Sequence, residues 1–230
     1  MLLYAKCILH TRTDPRLALP HFVLINCHID VLYAICIYNM IRRSISSPGS
    51  VALQRSSKRQ WVLKPQDLAV ALKLVSLKGR WMPYAQLGDQ LYLSQFEAHA
   101  AVQRLIAARL AVEREGKVLP SMAALRSFVI RGAPFAYPPV RGEVTIGVPT
   151  AYAVPPLKDV VLLSEEMPPV WPHPNGKVRG PALLPLYAKL PYAVQADPAL
   201  CELLALFDAL RIGQAREREL ASGLLEERLK

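Results

Sequence analysis

Residues 81–119 read WMPYAQLGDQLYLSQFEAHAAVQRLIAARLAVEREGKVL, and this stretch decides the fold. Ser94 and Glu97 form a capping box, in which each side chain satisfies the other residue's exposed backbone donor at a helix start. A helix is therefore predicted from about Gln95 to Ala108, and its small apolar residues share one face: Ala98, Ala101, Val102 and Leu105. At about 100° per residue, the opposite face presents Phe96, His99, Ala100, Gln103 and Ala107, with Arg104 to one side.

Two shorter patterns precede this helix. Apolar residues at helical spacing predict a first helix over 65–78, with Pro65 in its first turn and Gly79 ending it. A short second helix begins at Pro83, and its apolar residues are Tyr84, Leu87 and Leu91. Gly88 within it costs about 1 kcal/mol relative to alanine, unless close helix packing requires a glycine there.

The residues after the third helix predict a β-hairpin. Leu110–Glu113 has the pattern of a strand, Glu115–Gly116 suits a tight turn, and Lys117–Leu119 can return as the second strand. Arg114 and Lys117 would flank the tip. Three helices followed by this hairpin predict an α+β fold: a winged helix-turn-helix, with a Pro-rich mixed region and C-terminal helices after it.

The quoted stretch resembles the winged helix-turn-helix of MarR-type bacterial regulators, in which a Ser-capped recognition helix, an Arg-Leu pair and a wing follow one another. The resemblance covers about a quarter of the chain, and it implies that the Ser94-capped helix enters the major groove of double-stranded DNA. By matching position it directs His99 and Gln103 towards bases, with Gln95 near the helix start and Phe96 on the same outer face. It directs four residues towards the DNA backbone: Ser94, Arg104, Arg114 and Lys117.

The resemblance applies to the module rather than to the whole chain. MarR regulators flank the module with long dimerising helices, and the sequence after Leu119 supplies no obvious equivalent. The layout, a winged module before a mixed second region, is also similar to that of AbiEi-like antitoxins. Winged helices also serve as protein-interaction modules, and Glu97, Glu113 and Glu115 would repel phosphate, so an adaptor without DNA contact stays open.

The charge distribution favours a nucleic-acid partner. The net charge is +10, and residues 51–131 hold 13 Lys and Arg against five Asp and Glu. Residues 132–230 hold ten against 11. A local excess suits phosphate neutralisation, although a solvated basic surface would give the same count.

Signatures of enzymes and metal sites are missing from the sequence. It contains no Gly-rich phosphate loop, no H-E-x-x-H and no nucleophile elbow. The four cysteines form no C-x-x-C pair and the five histidines no metal-ligand spacing, so we expect no catalytic site, no cofactor and no metal. The cysteine usage suits a reducing cytosol and predicts a cytoplasmic protein.

Residues 1–50 differ in composition from the rest. The run 22–41 is long enough to span a bilayer, but Asn26, His28 and Asp30 near its middle make insertion costly. Three interpretations stay open: a weak membrane anchor, a buried helix or strand pair, or a stretch translated from a start codon set too far upstream. We favour the third, with Met40 or Val51 as the true start, and expect no membrane partner.

The remaining chain divides by composition. Residues 51–63 are predicted to be a flexible basic lead-in, and 64–131 the winged domain, which ends in a helix over Ser121–Arg131 capped by Ser121. Residues 132–196 are predicted to be a Pro-rich extended region, because 14 of the 20 prolines lie between Pro134 and Pro198. Its predicted features are strands at Val144–Val148 and Val160–Leu163 and a turn at Asn175–Gly176.

Residues 197–230 are predicted to form two helices. Asp197 caps the first, and Gly213 ends it. The second carries an apolar stripe: Leu220, Leu224, Leu225 and Leu229. This stripe either packs within the fold or forms a homodimer interface suited to paired DNA half-sites.

These patterns predict a sequence-specific DNA-binding transcription regulator that acts as a homodimer. Two alternatives stay open. One is a winged-helix adaptor that binds a protein partner through the Pro-rich region, and the other is an antitoxin-type autoregulator.

Overall fold

The computed structural model describes residues 61–160 and 167–230, and helix α1 (Pro65–Ser76) lies at its centre. Every residue from 67 to 74 (DLAVALKL) is buried. A helix that is apolar on nearly every side must be covered on every side. The third helix, the hairpin and the first long C-terminal helix all pack against it. The predicted first helix is therefore confirmed, two residues shorter at its C-terminal end.

Helices α2 (Tyr84–Leu91) and α3 (Gln95–Ala107) follow, as predicted. The inner residues of both are buried: Leu87, Leu91, Ala98, Ala101, Val102 and Leu105. Tyr92 joins the helices in a left-handed conformation, with φ 54°. A Cβ on Gly88 would lie 2.8 Å from the carbonyl oxygen of Leu93, so the turn packs too closely for any side chain at this position.

The predicted hairpin is present. Strands β1 (Ala111–Arg114) and β2 (Lys117–Pro120) are antiparallel, and Arg114 lies opposite Lys117. Glu115 and Gly116 both have positive φ, 52° and 73°, as a type I′ turn requires. Val118 is buried and attaches the hairpin to the core.

The segment after the hairpin differs in detail from the prediction. It consists of α4 (Met122–Ser127), a π-helical turn (Phe128–Gly132) and α5 (Ala133–Ala136). Ser121 does not cap α4: its side chain makes no capping hydrogen bond, and its N–H is bound to the Leu110 carbonyl at 2.9 Å. The helical path continues beyond Arg131 because Pro134 falls in the first turn of α5, where its missing N–H is not needed.

A three-stranded sheet lies in the Pro-rich region. Its strands are β3 (Arg141–Pro149), β4 (Val170–Pro172) and β5 (Val178–Leu183). Strand β3 pairs antiparallel with both others, and a parallel pair between Val170 and Ala182 closes the set. The predicted strand at 144–148 is therefore confirmed and is longer than predicted.

The predicted strand at 160–163 is wrong at Val160, which ends helix α6 (Leu157–Val160). The N–H of Lys158 donates to the Val154 carbonyl at 3.1 Å, so the chain is already turning here rather than extended. Residues 161–163 lie outside the described residues.

The loop between β4 and β5 passes directly over β3. A Cβ on Gly176 would lie 2.4 Å from Gly147 Cα, so only a glycine fits where the two backbones cross. The N–H of Gly176 donates to the His173 carbonyl at 3.0 Å, which confirms the predicted turn at Asn175–Gly176.

Three helices complete the chain: α7 (Leu190–Gln195), α8 (Pro198–Ile212) and α9 (Ala215–Arg228). As predicted, Asp197 caps α8, accepting a 3.0 Å hydrogen bond from the Leu200 N–H, and Gly213 ends it. Helix α8 packs against α1, and α9 packs against α8. Leu225 and Leu229 of the apolar stripe are buried, whereas Leu220 and Leu224 are half-buried.

A buried carboxylate joins the sheet to α8. Asp208 Oδ2 accepts hydrogen bonds from Thr150 Oγ1 (2.8 Å) and Trp171 Nε1 (2.7 Å), and Oδ1 pairs with the Arg211 guanidinium. Burial raises the pKa of Asp208, while these donors and the Arg211 charge act against that rise. The Pro-rich region is thereby fixed to the same core as the helices.

The described chain is mixed α and β, as predicted, with a two-stranded hairpin and a three-stranded sheet among its helices. Within 61–160 and 167–230, no helix is both long and apolar enough to cross a bilayer. The run 22–41, the alternative starts Met40 and Val51, and the lead-in as far as residue 60 lie outside the described residues.

Candidate nucleic-acid interface

The capping box at the start of α3 forms as predicted. The N–H of Glu97 donates to Ser94 Oγ, and the N–H of Ser94 donates to Glu97 Oε2, each at 3.2 Å. The Ser94 hydroxyl also lies 3.1 Å from Glu97 Oε2. The N–H and hydroxyl of Ser94, which was predicted to contact the DNA backbone, are therefore engaged by the protein's own carboxylate.

The outer face of α3 exposes three of the residues predicted to contact DNA: Gln95, Phe96 and His99. Phe96 is 84% exposed. The amide of Gln95 and the imidazole of His99 are the polar groups of this surface that can form hydrogen bonds with a partner.

Gln103, also predicted to face bases, is half-buried and shares a hydrogen bond with the Tyr84 hydroxyl. Tyr84 in turn packs edge to face against His99, with ring centroids 4.8 Å apart, and against Trp81 at 5.3 Å. Burial raises the pKa of Tyr84, the Glu113 charge raises it further, and the Gln103 hydrogen bond offsets part of the rise. Tyr84 therefore contacts both His99 and Gln103 and restricts their side chains, a role that the sequence pattern did not indicate.

Arg104 differs from the expectation that it faces the DNA backbone. Its guanidinium is buried in a two-point ion pair, with Nε donating to Asp67 Oδ2 and Nη2 to Asp67 Oδ1, both at 2.6 Å. The hydrogen bond with Asp67 is the main cause of a raised pKa at Arg104. Because Asp67 neutralises this charge and α1 covers it, we remove Arg104 from the set of DNA contacts.

The hairpin tip presents the remaining two predicted contacts. Arg114 and Lys117 are exposed and lie directly opposite each other across the two strands. Glu113 and Glu115 are exposed beside them. The tip is therefore a mixed-charge surface rather than a purely cationic one.

The ion pairs reduce the cationic surface of the module. Residues 61–131 hold ten Lys and Arg, but Arg104 is paired with Asp67, and Lys73 is buried with its Nζ 2.7 Å from Asp197 Oδ2. Residues 51–131 contain three further cations, Arg55, Lys58 and Arg59, which lie outside the described residues.

A second surface, which the sequence pattern did not indicate, lies next to the α2–α3 turn. The half-exposed ring of Tyr92 lies 5.6 Å from that of Tyr192 in α7, so the Pro-rich region adjoins the start of α3. This region carries cations without acids from residue 167 to 196, and a local charge count would have found it. The charge summed over 132–230 hides this excess, because acids on either side of the segment balance it: Asp159, Glu165, Glu166, Asp197, Glu202 and Asp208.

A cleft of about 570 Å³ opens between the end of α1, the base of the hairpin and helices α8 and α9. Leu74, Leu119 and Leu203 are among its apolar lining, and the ion pair between Arg228 and Glu202 lies at its edge. Its volume is in the range of small-molecule sites. Among residues 61–160 and 167–230, His, Cys, Asp and Glu side chains form no group able to hold a metal ion.

No protein-family model, no curated protein and no solved structure matches this chain.

Proposed function

We propose that the protein is a sequence-specific DNA-binding transcription regulator built on a winged helix-turn-helix, in which α3 enters the major groove and the β1–β2 hairpin acts as the wing. One observation carries the proposal: a capped helix with an exposed polar outer face is followed at once by a hairpin with two cations opposed at its tip. That order fits the docking of a helix in the groove beside a wing on the flanking phosphates.

The proposed contacts divide into two kinds. Gln95 and His99 meet base edges, since a glutamine amide pairs well with adenine and an imidazole can donate or accept. Gln103 contributes to base contact only by exchanging its Tyr84 hydrogen bond for one to DNA. Arg114 and Lys117 neutralise phosphates, which supplies affinity but no sequence preference.

Fluorescence anisotropy with the full chain tests the proposal on two duplexes, one from upstream of its own gene and one with the same bases scrambled. We expect tighter binding to the first, and a loss of that preference in Gln95→Ala and His99→Ala, because a base contact discriminates by about 1–3 kcal/mol. Arg114→Ala/Lys117→Ala should weaken binding to both duplexes and lower the salt slope by about 1.8, since each phosphate contact contributes about 0.9.

A matched control is Lys158→Ala/Arg218→Ala, which removes the same charge from exposed positions of α6 and α9. We expect it to change the salt slope far less than the hairpin variant does. Equal, salt-insensitive signals from both duplexes would overturn the proposal.

Homodimerisation is part of the same proposal. The half-buried Leu220 and Leu224 line a shallow groove on α9 with Arg216, Glu219 and Glu227, and two copies of such a surface could pair apolar residues at the centre and charges at the edge. Sedimentation of the wild type against Leu224→Glu tests it. A dimer lost only in the variant supports the surface, and a monomeric wild type removes it.

A protein-interaction adaptor is the second candidate function, because Phe96 is 84% and Tyr92 50% exposed. Exposed aromatic side chains are typical anchors of protein interfaces. Salt separates the candidates, since an apolar interface keeps its affinity when salt rises whereas DNA binding weakens steeply.

A further inference from the structure

Residues 167–196, here called the basic segment, contain Lys177, Arg179 and Lys189 and no aspartate or glutamate. All three cations are exposed. The ion pairs of the described residues include none of them. Thirty residues of this composition, in a region whose total charge is close to neutral, make a locally cationic surface.

The basic segment is attached to the turn that leads into α3. The Tyr187 hydroxyl donates to the Leu91 carbonyl at 2.8 Å, at the last residue of α2. Burial raises the pKa of Tyr187 far above its usual range, so this hydroxyl keeps its proton and its donor role. Next to it, the ring of Tyr192 contacts that of Tyr92, two residues before the Ser94 cap.

A second set of contacts connects α7 to the β4–β5 loop. The His173 ring lies 4.3 Å from that of Tyr192, and its Nε2 lies 3.1 Å from Gln195 Nε2. His173 Nδ1 accepts a 3.1 Å hydrogen bond from the Asn175 N–H. With both ring nitrogens engaged and 5% of the residue exposed, His173 acts as a spacer that fixes the loop to α7.

The three cations lie close to these contacts along the chain. Lys189 is one helical turn from Tyr192, whose N–H donates to the Lys189 carbonyl at 3.1 Å. Lys177 ends the loop that His173 begins, and Arg179 pairs with Ile146, whose carbonyl accepts from the His173 N–H at 3.2 Å.

Some of the acids on the neighbouring elements are neutralised by other residues. The three acids of the α8 region, Asp197, Glu202 and Asp208, all form ion pairs with other residues. Asp89 of α2, Glu97 of α3 and Glu143 of β3 remain exposed. Glu165 and Glu166, which directly precede the basic segment in the sequence, lie outside the described residues.

We propose that the basic segment is a second DNA-contacting element, whose Lys177, Arg179 and Lys189 bind the phosphate backbone of the same duplex whose groove α3 occupies. The proposal rests on the proposed function. The ring of Tyr192 lies 5.6 Å from that of Tyr92 and 4.3 Å from that of His173. The sum of these two distances is smaller than the width of the B-DNA major groove, about 12 Å. With α3 in the groove, the part of the basic segment around His173 would therefore lie within about one groove width of the α2–α3 turn, close enough for its cations to reach phosphates at the edge of the groove.

The test is the salt dependence of DNA binding by the full chain carrying Lys177→Ala/Arg179→Ala/Lys189→Ala. We expect the slope of log K against log salt to fall in magnitude by about 2–3, at about 0.9 for each phosphate contact. The charge-matched control is Lys158→Ala/Arg218→Ala/Lys230→Ala, at exposed positions in α6, in α9 and after α9, which should lower the slope far less. Equal melting temperatures of both variants and the wild type show that the fold is kept, and glutamine replaces alanine if they differ.

Hydroxyl-radical footprinting on the same duplex gives an independent readout. The wild type should protect backbone positions beside the α3 site that the basic-segment variant leaves open. An unchanged slope and footprint in this variant, together with a reduced slope in Arg114→Ala/Lys117→Ala, would overturn the second element and leave the proposed function standing. Absence of salt-dependent binding by the wild type would overturn both.

Discussion

Asp67 and Arg104 lie 37 residues apart in the chain and form a buried two-point ion pair, with both hydrogen bonds 2.6 Å long. The pair joins the first turn of α1 to the last turn of α3. Asp67 Oδ2 also accepts the Lys64 N–H at 2.8 Å, so one carboxylate both caps α1 and holds α3. A planar guanidinium held at two points fixes the rotation of α3 about its axis and hence the direction of its outer face.

Arg104→Met should destabilise the protein by about 3–5 kcal/mol, because it leaves the Asp67 carboxylate buried without its counter-charge. Urea denaturation measures the loss. The double variant Asp67→Leu/Arg104→Met should lose less than the single one, since no buried charge remains. If Arg104→Met is as stable as the wild type, the ion pair does not hold α3.

Gly88→Ala should destabilise the protein by about 1–3 kcal/mol, because the new methyl group would lie 2.8 Å from the Leu93 carbonyl oxygen. Gly223→Ala is the matched control: it lies within α9, and a Cβ there meets nothing within 4 Å. Alanine at residue 223 should stabilise by up to about 1 kcal/mol through helix propensity. Thermal melting of both variants compares them, and equal effects would contradict the close approach.

Acid should weaken the contact between α1 and α8 through Asp197. Burial by itself raises the pKa of Asp197, but hydrogen bonds from Lys73 and the Leu200 N–H, with the Lys73 charge, outweigh burial and hold the pKa below its usual range. A carboxyl whose folded pKa is lowered stabilises the fold above its unfolded pKa, and that contribution is lost as the pH falls through the folded value.

Asp197→Asn keeps the helix cap and removes the charge. We expect it to be less stable than the wild type at neutral pH and to lose less stability between about pH 5 and pH 2. Urea midpoints measured across this range provide the comparison. Parallel curves for the two proteins would show that Asp197 does not contribute to the acid sensitivity.

Trp171→Phe should cost about 1.5–3 kcal/mol, because it removes a hydrogen bond to the buried Asp208 carboxylate. Trp61→Phe is the control, since Trp61 is 57% exposed and a surface substitution changes stability by about 0.5 kcal/mol or less. Urea denaturation followed by far-UV circular dichroism avoids dependence on tryptophan fluorescence. A cost no larger than that of Trp61→Phe would mean that Thr150 and Arg211 satisfy Asp208 without the indole.

The features that the sequence predicted correctly are those set by neighbouring residues. The Ser94–Glu97 cap spans three residues, and the Glu115–Gly116 turn depends on backbone conformations that these two residues adopt readily. The inner face of α3 follows from helical spacing alone. Local chemistry decides each of these before any distant contact forms.

Features that depend on distant partners could not be predicted. Helical spacing places Arg104 at the edge of the outer face and does not decide whether its side chain is exposed. The ion pair with Asp67, 37 residues earlier, is what buries it. The crossing at Gly147 and Gly176 likewise depends on the β4–β5 loop passing over β3. For Gly88, helix propensity predicts the cost of a helical glycine, and the position of the Leu93 carbonyl supplies the reason for it.

The buried contact between Lys73 and Asp197 has a consequence for biosynthesis. These residues are 124 positions apart, and α8, which begins immediately after Asp197, covers one side of α1. At roughly 5–20 residues per second, the ribosome takes roughly 6–25 s to make the chain between them. During that interval the apolar side of α1 is uncovered on the nascent chain, which makes α1 a favoured binding site for a chaperone until synthesis of α8 is complete.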